Sequence, residues 1–201
     1  MMINIYLLRH GKTQGKPALN GRTDVLVAAH HQDQICDKLM ASGYSFQHLI
    51  SSPLKRCSDL ARRLVANHAV RQCDFELGFQ EMDFGCFDGV PFDELQAQWP
   101  ILETFWADPA THQLPQAESL ADFHQRVTNA WERRLKLLSN DTLIIAHGGT
   151  IRMILAHVLG SDWQNPAWYS TLQIGNQSVT HIQVLKKEAI HLTVRSIGIP
   201  L

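Results

Sequence analysis

The chain has no C-x-x-C pair and only four cysteines, Cys36, Cys57, Cys73 and Cys86, in 201 residues. That usage speaks against a disulfide scaffold and for reduced thiols in a cytoplasmic protein. No apolar run approaches the ~18 residues a membrane-spanning helix needs, so no membrane partner is expected. No basic stretch precedes the first apolar run, so no secretory signal is read there. An excess of charge is lacking too, with 18 Lys and Arg against 19 Asp and Glu. Without a global positive field, nucleic acid is not an expected partner, and attraction for an anion has to be built locally. Repeats, low-complexity tracts and composition shifts are absent. What remains is 45% hydrophobic and 18% charged, a balance that fits one globular fold with a sizeable core.

The strongest local signal is the first one. Ile3-Asn4-Ile5-Tyr6-Leu7-Leu8 is a short, bulky, apolar run that stops at Arg9-His10-Gly11. It is too short for a helix and reads as a buried strand with a polar turn at its carboxyl end. Open α/β sheets bind ligands at that edge. His10 is therefore read as a nucleophile, with Arg9 holding a phosphate in front of it.

Thr13 to Asp24 reads as a surface loop, and Ala28 to Ser42 as a helix stopped by Gly43. Phe46 to Ser51 is a second strand. Ser52 and Pro53 would cap and open the next helix, placing Arg56 about one turn in. Asp74 to Leu77 is a short third segment. The stretch from Gln80 to Gly89 is a loop rich in carboxylates and aromatics, and Phe92 to Phe105 is helix-like. Leu120 to Leu138 is a long amphipathic helix opened by Glu118-Ser119. Thr142 to Ala146 is another buried strand, ending in His147-Gly148-Gly149, and a helix follows over Thr150 to Leu159. Val179 to Leu185 and Ile190 to Val194 form an edge hairpin. Alternating strands and helices predict an α/β fold, with about 90–117 inserted as a helical cap over the site.

Two strands thus end alike, in Arg9-His10-Gly11 and in His147-Gly148-Gly149. If they are neighbours and parallel, both imidazoles share one sheet edge, and Gly148 lets a ligand approach the backbone. A lone His in such a place is more often structural, but two His with two Arg reverse that expectation.

At this point the sequence resembles the histidine phosphatase superfamily, which includes phosphoglycerate mutases. The resemblance rests on Leu-Leu-Arg9-His10-Gly11-x-Thr13, Ser-Ser52-Pro53-Leu-Lys-Arg56, Glu81-x-x-Phe-Gly85-x-Phe87-Asp88-Gly89, Glu118-Ser119 and Ala-His147-Gly148-Gly149-x-Ile-Arg152. It implies a three-layer α/β/α sandwich with a mostly parallel mixed sheet over 1–201, a phosphohistidine intermediate, no cofactor and no metal. The expected partner is a small-molecule phosphate ester, and the chain is expected as a monomer or homodimer. A compact cap favours a phosphomonoesterase over a mutase-type isomerase. The Glu81–Gly89 stretch looks most like that of α-ribazole-5′-phosphate phosphatases of cobalamin assembly.

The roles also follow from chemistry. Phosphoryl transfer is governed by positioning and charge, and Arg9 and Arg56 each offer a planar fork to phosphate oxygens. His147 would add a donor, cationic once a dianion is bound. The second nitrogen of His10 should be held by a backbone carbonyl. Glu81 is taken as the proton donor from its spacing to Phe-Gly in the family; Asp83 and Asp88 read as loop caps. Thr13, Lys16 and Gly148 complete the expected phosphate pocket. Lys12 and Lys16 depart from the family, which often has Glu and Asn there. Lys16 either replaces the Asn as a point charge or leaves a gap for Asn20 or Gln14. His30-His31 read as surface residues, and Trp99, Phe105 and Trp106 as cap lining or core.

Overall fold

Strand β1 (Met2–Arg9) lies inside a six-stranded sheet with β2 (His48–Ser51), β3 (Asp74–Phe75), β4 (Thr142–Ala146), β5 (Ser178–Lys186) and β6 (Ile190–Pro200). The computed structural model describes residues 1–201. The strand order is β3-β2-β4-β1-β5-β6. The β1–β4, β2–β4 and β2–β3 pairs are parallel, and β5 and β6 add an antiparallel edge.

Side chains alternate across the sheet, as the two-residue strand period demands. Ile3, Ile5 and Leu7 of β1 join Ile50, Ile144 and Ile182 in one core. Tyr6 and Leu8 join Leu49, Leu143 and Ile145 in the other. Helices α1 (Ala29–Ala41) and α2 (Lys55–Ala66) cover the second face through Ile35, Leu39, Leu60 and Leu64. Helices α3 (Trp99–Ala107), α4 (Leu120–Leu137) and α5 (Gly148–Leu159) cover the first, with a short α6 (Ala167–Thr171) beside them. Phe105, Phe123, Val127, Trp131 and Ile154 fill that side. The result is a three-layer sandwich, and burial on both faces explains why β1 and β4 read as continuous apolar runs. No helix is long and apolar enough to cross a membrane.

Three local expectations are corrected. Helix α2 starts at Lys55, with Leu54 rather than Ser52 at its N-cap; the Lys55 amide donates to the distant Asp24 carboxylate at 2.6 Å, while the Ser52 hydroxyl also meets His147. The run from Phe92 is not one helix: short 3₁₀ turns at Phe92–Glu94 and Gln96–Gln98 precede α3, which admits Pro100 in its first turn. Helix α5 starts at Gly148, two residues earlier than its apolar pattern.

The connection after β3 is tied to α4. Glu76 accepts hydrogen bonds from Arg133 Nη2 (2.8 Å), Arg134 Nε (2.7 Å) and the Gly78 amide (3.1 Å). Burial pushes its carboxyl up, but bonds from Arg134, Gly78 and Arg133 outweigh that and hold it below its ordinary value. A depressed carboxylate stabilises the fold above its unfolded pKa, and the gain is lost as pH falls through the folded one. Glu76→Gln is expected to cost roughly 2–4 kcal/mol near pH 7, because Arg134 loses its buried partner. In urea titrations the gap to wild type should narrow below about pH 4.

Candidate active site

The register of β1 and β4 sets the site. Arg9 pairs with Ala146, so His10 and His147 leave neighbouring parallel strands at one level. The His10 amide donates to Ala146 O at 3.1 Å. The two rings stand 5.2 Å apart, edge to face. A Cβ on Gly11 would come within 2.7 Å of Ile35 Cδ1 and push that side chain aside.

His10 is buried, and its Nδ1 lies 2.7 Å from Gly11 O. A carbonyl can only accept, so Nδ1 carries the proton and Nε2 keeps its lone pair. Burial pulls the His10 pKa down to about 3, with Arg56 and Arg9 adding to the effect. The ring is thus a neutral base with a free lone pair, as a nucleophile must be.

Arg9 donates from Nη1 to Ile174 O. Its Nε is buried without a partner, which costs about 1–3 kcal/mol until a ligand oxygen accepts from it. Glu81 is set by two amides: Gly149 N reaches Oε2 at 2.9 Å and Met82 N reaches Oε1 at 3.1 Å. Its main chain is held by Arg126 of α4, which donates to the carbonyls of Gly78 and Gln80 (both 3.1 Å) and Glu81 (3.3 Å). Glu118 grips Arg126 with two bonds of 2.8 Å, while Ser119 caps α4 through the Asp122 amide. Glu118 therefore acts at one remove from the cavity. Asp83 and Asp88 cap loops, accepting from Gly85 N and from the amides of Arg22, Thr23 and Phe84.

Arg56 and His147 sit elsewhere than expected. Both are fully buried and neither lines the cavity. Arg56 Nε donates to His147 Nδ1 at 3.1 Å, and its Nη groups donate to the carbonyls of Thr23, Asn20 and Gly21. Those carbonyls, all from the loop over 20–23, take up the Nη donors of the guanidinium. Since Nδ1 accepts, the neutral ring carries its proton on Nε2, 2.8 Å from Ser52 Oγ. Burial, with Arg56, His10 and Arg9 nearby, holds the His147 pKa well below its usual value.

The cavity has a volume of about 570 Å³. Arg9, His10, Glu81, Arg152, Asn176 and the first turn of α5 form its polar end; Phe84, Phe92, Phe105, Trp106 and Phe123 form an apolar wall. The partial positive end of α5, with Gly148 at its start, favours an anion. Thr13, Lys12 and Lys16 line the cavity as well. Lys16 is exposed and paired with Asp93 at 2.7 Å, so it spans the loop and the segment after Gly89. Trp99 packs on Trp106 at 5.5 Å. His30 and His31 lie in the first turn of α1, His30 exposed.

Arg126, Arg152 and Asn176 were given no role by the sequence reading. Arg126 and Asn176 carry no motif signal by themselves. Arg152 closes the His147-Gly148-Gly149 string, where only the fold shows that one turn of helix carries it into the cavity.

The histidine phosphatase superfamily (branch 1) family model matches residues 5–195. A broad-specificity phosphatase of Saccharomyces cerevisiae is 26% identical over 98% of this chain and 86% of its own length. A protein named "Probable phosphoglycerate mutase GpmB" in Salmonella arizonae is 25% identical over 90% of this chain and 85% of its own. The α-ribazole phosphatase structure from Shigella flexneri superposes with a TM-score of 0.79 at 20% identity, covering 98% and 96% of the two chains. At that identity the likeness is one of fold.

Two outcomes follow from the geometry. A Cβ on Gly149 would overlap the Glu81 carboxylate, so Gly149→Ala should lower kcat on a phosphate ester by about 100-fold with little change in fold. Near pH 5 the unfolded His10 binds a proton that the native ring refuses. Stability should therefore fall as pH drops from about 6.5 towards 4, by up to ~1.4 kcal/mol per pH unit per such His. His10→Gln should flatten that slope in denaturant titrations.

Proposed function

The chain belongs to the histidine phosphatase superfamily and is an enzyme of its phosphatase and mutase class, and we propose that it is a phosphomonoesterase working through phosphohistidine at His10. The observation that carries this reading is the His10 ring, neutral, tied at Nδ1 and free at Nε2. Arg9 and Arg152 hold the phosphoryl oxygens, with the start of α5 at Gly148. Nε2 attacks phosphorus and the ester P–O bond breaks. The leaving oxygen keeps the bonding pair and takes the proton of a protonated Glu81. Water then attacks phosphorus and passes a proton to Glu81. The N–P bond breaks, its electron pair returns to Nε2, and inorganic phosphate is released. Arg56 and His147 stand behind His10, out of the cavity lining, where Arg56 keeps His147 in one tautomer and adds its charge to the field at the phosphoryl group.

The whole of 1–201 works as one unit in this reading, with about 90–117 as a cap and Thr13 and Lys16 at the mouth. The proposed substrate is α-ribazole 5′-phosphate. The apolar wall beside the polar end suits a flat benzimidazole, and the Glu81–Gly89 stretch supports that choice. Mutase action is the second reading, favoured by the likeness to the Salmonella protein.

Hydrolysis of p-nitrophenyl phosphate is expected to survive EDTA and to be inhibited by vanadate. It should label the protein with an acid-labile phosphate that His10→Ala loses, along with at least ~1,000-fold of kcat. Unchanged turnover in His10→Ala would end the proposal. Among esters, α-ribazole phosphate should give the highest kcat/KM; interconversion of 2- and 3-phosphoglycerate faster than phosphate release would favour the mutase.

A further inference from the structure

The segment between α6 and β5 touches Arg9, His10 and Arg152 at the polar end of the cavity. Leu172 O accepts from Arg152 Nε at 2.9 Å, and Ile174 O accepts from Arg9 Nη1. Gln177 turns back with a left-handed φ of 55° and directs its amide at Arg9 O (3.2 Å) and His10 O (3.3 Å). Between them, Asn176 Nδ2 donates to His10 O at 3.1 Å and to Gly11 O at 3.3 Å. Both of its targets are carbonyl oxygens, so the amide can face them only through nitrogen.

Gly11 O is the same atom that receives Nδ1–H of His10. Each carbonyl has two lone pairs, and here one serves the ring and one serves Asn176. If the peptide after Gly11 rotated, Nδ1–H would lose its acceptor, and the other tautomer would place its proton on Nε2, the attacking atom. We propose that Asn176 is a positioning residue for the nucleophile: it holds the Gly11 carbonyl where that carbonyl fixes His10 as the Nδ1–H tautomer, within a strap over 172–177 that also sets Arg9 and Arg152. This rests on His10 being the nucleophile, as proposed above. Asn176 does not need to touch the phosphate to act.

The test uses Asn176→Asp, which keeps the shape and turns the donor into an acceptor facing two carbonyls, and Asn176→Ala, which only removes the donor. With p-nitrophenyl phosphate, kcat should fall roughly 10- to 100-fold in Asn176→Asp, while KM moves less than about threefold, because the reacting ring and not the binding end is disturbed. In ¹⁵N spectra of the free enzyme, the His10 ring should pass from a single Nδ1–H signature to a mixture of tautomers in both variants. Wild-type kcat in Asn176→Asp, or an unchanged Nδ1–H signature in either variant, overturns the proposal. If Asn176→Asp does not fold, the ¹⁵N signature of Asn176→Ala decides alone. Failure of the underlying reading looks different: the wild-type enzyme would then form no phosphate adduct on His10, whatever the variants do.

Discussion

The hydrogen bond from His10 Nδ1 to the carbonyl of its own neighbour, Gly11, is the constraint on which the site depends. It is made by residues adjacent in the chain, yet it forms only because the strand before it is rigid. β1 is paired on both sides, to β4 and β5, and its apolar side chains are buried in two cores. A ring on a mobile loop would sample both tautomers. Here the sheet fixes the backbone, the backbone fixes the proton, and the proton decides which nitrogen keeps the free lone pair that the proposed attack needs.

The second determinant is charge without an internal partner. Burial lowers the pKa of the Arg9, Arg56 and Arg152 guanidinium groups, and Glu81 is the carboxylate whose field acts on all three. Such a cluster costs free energy to fold unless backbone carbonyls absorb part of it. They do: Ile174 for Arg9, Leu172 for Arg152, and the 20–23 loop for Arg56. What is left over, including the unpartnered Arg9 Nε, is the preorganised positive charge that the proposed phosphoryl transfer calls for.

The apolar wall is of a different origin. Phe84 follows the Glu81 loop, Phe92, Phe105 and Trp106 come from the segment after Gly89, and Phe123 comes from α4. The same segment buries Leu102 and Leu114 in the larger core, so the wall is anchored by packing while Lys16 and Asp93 join its rim from outside. In the proposed reaction, phosphate chemistry and the shape of the leaving group would therefore be carried by separate parts of the chain. Relatives of this chain are named for different reactions.

By itself the sequence determined the α/β class, the two strands that end in His, the long α4 and the edge hairpin, because apolar period and glycine stops are local properties. It also singled out Arg9, His10 and Glu81, which the structure brings to one cavity. Tertiary structure alone decided the rest. The first turns at Lys55 and Gly148 give amides to carboxylates far away in the chain, Asp24 for Lys55 and Glu81 for Gly149. Arg56 and His147 were both legible as site residues, but their place behind the cavity goes with loop carbonyls 33 to 36 positions from Arg56 that no spacing reveals. Asn176 and Arg126 act through carbonyls of distant residues, and a carbonyl has no letter in the sequence. A side chain's chemistry is written in the sequence; which backbone atoms it will face is settled only when the sheet and helices have packed.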